Sequence, residues 1–323
     1  MLREIELNKI VNRELVRQRG PSVRRTPTFY PSEASIVTST GRVDGSCHRK
    51  TYYRIQGVPK TNPIKPLNMW RAKLGNKVED IYRDQMKSAG ILEANNLKFY
   101  DPSLNLSGEL DMVGRHMLKN EDGTFQQDEQ GNPVYAYYGV EVKSIYGSEG
   151  VARQIKGRRA WRGRPAITPY PKSSNLMQAM LYVWHFRDTL MGFKLPYIAR
   201  DTGDMAEWDI RLYQYEDEGE VKHAAEVQGE PNFSFTIEGI HDRYRALKQA
   251  VVSKAKPKRE FSLRYSKEEA EAQFESGEIS KTKYEKWLKN SNDNVGDWQC
   301  SYCAYTDHCW KVDKDVDPIV SEA

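Results

Sequence analysis

Residues 134–143 have the sequence Val-Tyr-Ala-Tyr-Tyr-Gly-Val-Glu-Val-Lys, with the aromatic and β-branched composition of a strand. The stretch ends in a Glu-x-Lys triplet. Because side chains two apart on a strand point to the same face, Glu141 and Lys143 are expected to lie side by side. This strand therefore predicts a charged pair at one edge of a sheet.

A second strand-like stretch, residues 105–115, precedes the first and contains Ser107-Gly108-Glu109-Leu110-Asp111. The polar run 119–133 between them contains turn-forming Asp-Gly and Gly-Asn-Pro sequences, which predicts a hairpin with a long tip. Pairing of these strands brings Asp111 to Glu141. Two converging carboxylates repel each other unless a proton or a divalent cation lies between them, and such oxygen ligands are the kind that holds Mg²⁺ in proteins.

The segments outside this hairpin alternate between helical and strand patterns. Helices are predicted over residues 3–18, 68–88, 174–187 and 240–252, and strands over 193–199 and 207–213. Gly75 lies inside the second helix, where glycine costs about 1 kcal/mol relative to alanine. Ser266 to Glu269 form a capping-box signature that opens a charged helical stretch toward Lys289, interpreted as a solvated insertion or a partner-binding surface. The order of elements predicts an α/β protein.

Composition excludes several classes of protein. The 323 residues are 38% hydrophobic and include 7 Trp, 19 Tyr and 9 Phe, too many aromatics for a disordered chain. The chain contains no run of 18 apolar residues, and its N-terminus is charged, so we expect no membrane partner and a cytoplasmic location. Three of the four cysteines lie within ten residues, which indicates a metal centre in a reducing compartment.

Charge is distributed unevenly along the chain. Residues 150–187 carry eight basic side chains and no acidic one, whereas residues 201–220 carry eight carboxylates and only Arg211. The side chains predicted to bind a polyanion such as DNA are Arg153, Lys156, Arg158, Arg159, Arg162, Arg164 and Lys172. Such a basic segment favours a polyanionic partner, which it would hold by its phosphates without recognising base sequence.

The Glu-x-Lys triplet occurs a second time, as Glu220-Val221-Lys222, in an acidic stretch predicted to be a loop. An exposed ion pair is the ordinary explanation for any such triplet. Only the copy that ends at Lys143 follows an apolar strand, has an aspartate upstream and precedes the basic segment. We therefore assign the chemistry to that copy.

Asp111, Glu141-Val142-Lys143 and the helical pair Gln178 and Tyr182 together resemble the PD-(D/E)XK nuclease superfamily, in particular its RecB-like branch. The resemblance implies a restriction-endonuclease-like α/β fold, a mixed sheet flanked by helices. It also implies that Asp111, Glu141 and the Val142 carbonyl bind Mg²⁺ or Mn²⁺ and that Lys143 assists the attacking water. In that family the Gln-x-x-x-Tyr pair reaches the DNA backbone; the alternative is a core-facing tyrosine with a polar neighbour.

The long hairpin tip and the polar segment 266–289 depart from the family pattern, and so does one candidate metal ligand. The family carries Gly-x-x-x-His on an upstream helix, whereas this chain has Gly75-Asn76-Lys77-Val78-Glu79. A carboxylate ligates Mg²⁺ at least as well as imidazole, so the resemblance assigns Glu79 as a further metal ligand. The alternative is an ordinary exposed glutamate on a helix.

The cysteines carry a second resemblance. Cys47 stands alone, and Cys300, Cys303 and Cys309 follow the spacing Cys-x2-Cys-x5-Cys, which resembles the split iron-sulfur site of RecB-like nucleases. This implies a [4Fe-4S] cluster in a subdomain formed by the N- and C-terminal segments, with Zn²⁺ as the alternative.

These patterns predict three regions: an N-terminal segment with the first cysteine (1–66), a nuclease core (67–238) and a C-terminal helical and iron-sulfur segment (239–323). The expected function is metal-dependent hydrolysis of DNA phosphodiesters, with exonuclease action as the expected mode. Two alternatives remain open: a noncatalytic DNA-binding protein and an assembly module that is stabilised by a four-cysteine metal site. Residues 266–289 are expected to be a solvated insertion, with binding of a protein partner as the alternative.

Overall fold

The computed structural model describes residues 27–63, 65–160, 166–289 and 295–312. The predicted helix 3–18 lies outside the described residues, and so do Arg162 and Arg164 of the basic segment. The fold and the sites below are formed by residues of the described ranges.

Helices and strands alternate along the chain, with long strands in the first two thirds and helices prevailing at the end. In chain order they are β1 (Ser35–Val37), β2 (Val43–Gly45), α1 (His48–Ile55), α2 (Pro66–Ser88), β3 (Leu92–Asp101), β4 (Leu106–Met117), β5 (Tyr135–Val140), β6 (Lys143–Ile145), α3 (Ser148–Val151), α4 (Ser173–His185), β7 (Gly192–Ala199), β8 (Met205–Asp217), β9 (Glu220–Val227), β10 (Glu230–Thr236), α5 (Ile237–Ser253), α6 (Lys267–Glu275), α7 (Lys281–Leu288) and α8 (Trp298–Ser301). Two short π-helical turns, Ala152–Lys156 and His308–Val312, follow α3 and α8.

Eight strands form one large, mostly antiparallel sheet. Its order is β10-β9-β8-β7-β5-β4-β3, and β6 pairs with β7 beside β5. Only β5 and β6 run parallel to β7; the other neighbours are antiparallel. The prediction of a mixed sheet flanked by helices is confirmed as a description of the architecture. Strands β1 and β2 form a separate pair.

Helices cover both faces of the sheet because successive strand residues point to opposite sides. On one face, Met86 of α2 packs against Met112 and Val140. On the other, α4 buries its apolar side against Phe193 and Leu195 of β7. The two clusters are separate, so the sheet lies between α2 and α4.

The predicted hairpin is formed by β4 and β5, with Met112 opposite Val140 and Met117 opposite Tyr135. The strand predicted over residues 134–143 is interrupted, however, because β5 ends at Val140 and β6 begins at Lys143. The Glu141 amide donates to the Lys194 carbonyl at 3.2 Å. In this parallel register the next hydrogen bond would run from residue 196 to the Glu141 carbonyl, but Pro196 has no N–H. The missing donor accounts for the interruption.

The second Glu-x-Lys triplet is not in a loop, and that prediction is wrong. Glu220 opens β9, and Val221 pairs with Glu216 of β8. The turn between the two strands contains Glu218 and Gly219, both with positive φ. Such a two-residue turn matches the twist of a hairpin, so the acidic run is the tip of a hairpin.

The charged C-terminal stretch folds as two helices, α6 and α7, separated by Gly277 with φ of +76°. The predicted capping box is confirmed: the Ser266 hydroxyl accepts from the Glu269 amide, and the Glu269 carboxylate accepts from the Ser266 amide. The segment has a small core of its own around Tyr265 and Ile279. Among the described helices, none combines the length and apolar character needed to cross a lipid bilayer.

Candidate active site and cysteine cavity

Two carboxylates of the candidate site come from the hairpin. Asp111 is half-buried on β4, one residue before the Met112–Val140 pair, and Glu141 is the first residue after β5. Glu141 is only 6% exposed. Antiparallel pairing therefore places both acids at the point where β5 is interrupted, as the sequence predicted.

Glu79 of α2 is the third carboxylate. It is partly buried and forms an ion pair with Arg83 one turn later on the same helix. Burial raises the pKa of Glu79, Arg83 lowers it, and the charges of Asp80 and Glu141 raise it further. Glu79 is therefore close enough to Glu141 for the two charges to interact, as the metal-ligand assignment requires.

The pKa of Asp111 reports directly on the convergence of the three acids. Burial raises this pKa to about 7, and the charges of Glu141 and Glu79 contribute to the rise, while Lys143 and Arg83 oppose it. Three carboxylates whose charges act on one another form an electronegative region that favours binding of either a proton or a cation. The oxygen donors suit Mg²⁺ or Mn²⁺.

Lys143 lies between Glu141 and helix α4. Its ammonium forms an ion pair with Glu141 and donates to Gln178 Oε1 at 3.2 Å. Gly75 sits where α2 passes β6, and a Cβ added there would lie 3.1 Å from Ser144 Oγ. The small residue lets the helix that bears Glu79 approach the strand that bears Lys143.

Tyr182 is 3% exposed and does not reach the surface. Its ring stacks on Phe193 at 5.8 Å between centroids, and its hydroxyl donates to the Glu109 carbonyl at 2.9 Å. The expectation that Tyr182 contacts DNA is therefore wrong in this structure, which instead shows a core-facing tyrosine. Tyr182 anchors α4 to β4, two residues from Asp111.

Val142 is buried directly after Glu141. It lies in the two-residue gap between β5, which ends at Val140, and β6, which begins at Lys143. The β4–β5 pairing ends at Met112 and Val140, so Val142 lies beyond this ladder. The role of its carbonyl as a metal ligand stays a prediction.

Three of the predicted DNA-binding side chains already have acidic partners. Arg153 and Arg158 both pair with Glu149, at 3.0 and 2.7 Å, and Lys156 pairs with Asp204 at 2.7 Å. The basic segment is therefore partly neutralised by an acid just before it and by another from the β7–β8 turn. Arg159 is exposed.

Sequence reasoning missed Arg83, which pairs with two carboxylates of α2, and it did not place Lys172 near Lys143. A position four residues after Glu79 on a predicted helix was the available signal for Arg83. No comparable signal exists for Lys172, because its position depends on how the loop before α4 crosses the sheet.

All four cysteines line one cavity, although Cys47 and Cys300 are far apart in the chain. The cavity contains about 380 Å³ of unfilled space, part of it open to solvent. Burial and, to a lesser extent, the charge of the neighbouring Cys47 raise the pKa of Cys300 to about 12. The structure thus brings the N-terminal cysteine to the C-terminal three.

The cavity provides more than thiols. The Tyr305 amide donates to Cys303 Sγ at 3.4 Å, and Arg49 donates to Cys309 Sγ at 3.9 Å. Lys50 and Arg259 add positive charge to the lining, and Trp310 adds an aromatic wall. The acidic Glu260 lines the cavity as well. Four soft sulfur donors with hydrogen bonds to sulfur are the donor set of a four-thiolate metal site, which either an iron-sulfur cluster or Zn²⁺ can occupy.

Neither group of side chains is a closed ligand shell in the conformation described. Within residues 27–63, 65–160, 166–289 and 295–312, no three His, Cys, Asp or Glu side chains are already arranged to hold a metal ion. The three carboxylates are neighbours of one another, and so are the four cysteines. In each group the side chains would have to turn toward a common ion in order to bind it.

No family model matches the chain, and no curated protein matches it. A solved structure described as "Crystal structure of SSO0001" is similar, with 12% identity, a TM-score of 0.40, and coverage of 94% of this chain and 96% of that chain. A likeness at this level carries no argument about function.

Proposed function

We propose that this chain is a metal-dependent deoxyribonuclease of the RecB-like PD-(D/E)XK type, with exonuclease action. One observation carries the proposal: Glu79, Asp111 and Glu141 converge beside Lys143 where the strand is interrupted. A structural ion pair would need one acid for Lys143. Three acids, one of them with a pKa raised to about 7, are an arrangement suited to a cation.

Glu79, Asp111, Glu141 and the Val142 carbonyl would hold Mg²⁺ or Mn²⁺. A divalent cation bound there supplies a Lewis acid for the phosphate and lowers the pKa of a nearby water. Lys143, positioned by Glu141 and Gln178, orients the attacking water and offsets the negative charge that develops on the phosphate. Arg83 holds Glu79 in place from the next turn of α2.

The four-cysteine cavity supports a [4Fe-4S] centre as part of this proposal, and Zn²⁺ remains the alternative ion for four thiolates. In either case Cys47, Cys300, Cys303 and Cys309 would supply the ligands. The sheet with α2 and α4 on opposite faces is consistent with a restriction-endonuclease-like core.

The test uses the purified 323-residue chain with Mg²⁺ or Mn²⁺ and matched linear and closed-circular DNA. Exonuclease action predicts loss of the linear form alone. Glu141→Ala and Lys143→Ala should each abolish cleavage, because one removes a metal ligand and the other the group that orients water, while DNA affinity stays near that of the wild type.

The chain contains its own control. Glu220→Ala and Lys222→Ala alter the same triplet on β9, where Lys222 pairs with Asp217 at 2.6 Å on the surface. These variants should cleave like the wild type. Cleavage that survives Glu141→Ala, or a wild type that binds DNA but leaves both forms intact with either metal, would contradict the proposed function.

A further inference from the structure

Lys172 makes an unusual contact at the edge of the candidate active site. Its ammonium lies 4.5 Å from the centroid of the Trp298 ring. Trp298 is the first residue of α8 and stands two residues before Cys300. Lys172 immediately precedes α4, the helix of Gln178. The cysteine-bearing segment therefore contacts the segment that leads into the active site.

The backbone at Lys172 is fixed above the strand that pairs with Lys143. The Lys172 amide donates to the Tyr197 hydroxyl at 3.0 Å, and Asn175 donates to the same hydroxyl at 2.8 Å. Tyr197 is buried on β7 and is the register partner of Lys143. A buried tyrosine with two donors is a rigid support, so the two lysines are held on one side of the sheet.

Electrostatics agree with this placement. Desolvation lowers the pKa of Lys172 although solvent still reaches its side chain, Asp44 of β2 opposes this shift, and Lys143 lowers the pKa further. Two ammonium groups that repel each other in the free protein would both be stabilised by an anion between them. Trp298, 52% exposed, leaves the approach to Lys172 open while holding it by a cation–π contact.

We propose that Lys172 binds a DNA phosphate at the active site and that Trp298, from the cysteine-bearing segment, is the positioning residue that holds Lys172 there. This inference rests on the proposed nuclease function. The C-terminal segment then takes part in the reaction as well as stabilising the fold, because it completes the phosphate-binding surface beside Lys143.

The first experiment measures binding of a single-stranded DNA oligonucleotide by fluorescence anisotropy in EDTA, where no cleavage occurs. Lys172→Met should weaken binding by about tenfold, as expected for one lost charged hydrogen bond. It should also lower the log–log salt slope by about 0.7, the value for one phosphate of a single strand. Trp298→Ala should act in the same direction by a smaller factor, and Trp298→Phe should restore binding because the aromatic face is kept.

A matched control exists on the long hairpin tip, where Lys119 lies 5.3 Å from the centroid of the Phe125 ring. Lys119→Met and Phe125→Ala remove the same kind of exposed pair and should leave both affinity and salt slope unchanged. The double variant Lys172→Met with Trp298→Ala should be no weaker than Lys172→Met alone, because Trp298 acts through Lys172.

Cleavage kinetics in Mg²⁺ provide the second experiment. Lys172→Met and Trp298→Ala should raise KM more than they lower kcat, and thermal unfolding should show that both variants fold. Affinity and slope equal to those of the control variants, or losses that simply add in the double variant, would overturn the inference. A wild type that does not cleave would instead overturn the proposed function, and the binding measurements would still decide the role of Lys172.

Discussion

At the scale of single residues, Asp111 is the most informative side chain. Its carboxyl is surrounded by Glu141 and Glu79, and Lys143 and Arg83 offset only part of that negative charge. With its pKa raised to about 7, Asp111 holds a proton in the folded, metal-free protein at a pH where an ordinary aspartate has lost it. A metal ion bound here as proposed would displace this proton, so the site would exchange a proton for a cation near neutral pH.

This exchange predicts an unusual dependence of stability on pH. Between about pH 4 and pH 7 the folded protein retains a proton that the unfolded chain releases, so the contribution of Asp111 is full below pH 4 and is lost as pH rises through 7. The effect is worth up to about 4 kcal/mol. Urea unfolding in EDTA should show falling stability over this window for the wild type and a flatter profile for Asp111→Asn.

Mg²⁺ should reverse the difference in stability between the wild type and Asp111→Asn. At pH 8 in EDTA, Asp111→Asn should be more stable than the wild type, because it lacks one of three mutually repelling charges. Addition of Mg²⁺ should stabilise the wild type and leave the variant nearly unchanged. Identical pH profiles for the two proteins would contradict the convergence of the three acids.

Residues whose role follows from their spacing in the sequence were predictable. Glu141 and Lys143 followed from strand alternation, and Asp111 from hairpin pairing. Lys172 was predicted only as part of the basic segment, and its contact with Trp298 was not predictable, because it joins segments more than a hundred residues apart that belong to no repeating pattern. Tyr182 shows the opposite failure, since its spacing from Gln178 was read correctly and its burial against Phe193 was not.

At the scale of elements, the approach of α2 to β6 sets the geometry of the site. Gly75 is the point of contact, with Ser144 Oγ 3.1 Å from the position a Cβ would take. Sequence reasoning recognised that a glycine weakens this helix, but the reason lies in the neighbouring strand. The glycine lowers the stability of this helix by about 1 kcal/mol relative to alanine, and its small size lets Glu79 lie near Glu141.

A double-mutant cycle tests this explanation. Gly75→Ala alone should raise the free energy of unfolding by less than the roughly 1 kcal/mol expected from helix propensity, because the new methyl group crowds Ser144. In a Ser144→Ala background, which removes the hydroxyl, the same change should recover most of that gain. The measurement is denaturant unfolding of all four proteins, and equal effects of Gly75→Ala in both backgrounds would show that the contact is unimportant.

The strand break also belongs to this scale. A continuous strand was predicted through Lys143, and the apolar pattern gave no reason to end it earlier. The break is caused by Pro196 on the neighbouring strand, which cannot donate to the Glu141 carbonyl. Proline inside a predicted central strand was a visible signal, but its consequence appears only once β5 and β7 are known to be neighbours.

The basic segment leads to another prediction, because Glu149 pairs with both Arg153 and Arg158. Glu149→Gln should free the two arginines, raise DNA affinity severalfold and steepen the log–log salt slope by up to about 0.9 for each duplex phosphate that a freed arginine then binds. Glu275→Gln, at an exposed position at the end of α6, makes the same charge change as a control. Equal binding by both variants would mean that these arginines do not face DNA.

At the scale of the whole molecule, the two ends of the described chain meet at the cysteine cavity. Cys47 precedes α1, whereas Cys300, Cys303 and Cys309 follow the helical segment at the other end. The spacing of the four cysteines in the sequence predicted that these residues belong together. It could not predict that α8 would also reach Lys172, so this contact is visible only in the folded chain.

Closure of this site across roughly 250 residues predicts that Cys47→Ser affects the entire fold. A cross-link of that span acting like a disulfide would contribute about 5 kcal/mol through loop-closure entropy, comparable with the net stability of a domain. The wild type should be brown and contain about four irons per chain, as a [4Fe-4S] centre requires. Cys47→Ser should be colourless, melt at a lower temperature and be cleaved by proteases between the sheet and Cys300. A colourless wild type with one zinc per chain would assign the site to zinc instead, and a Cys47→Ser protein with full colour and unchanged melting would show that Cys47 is not a ligand.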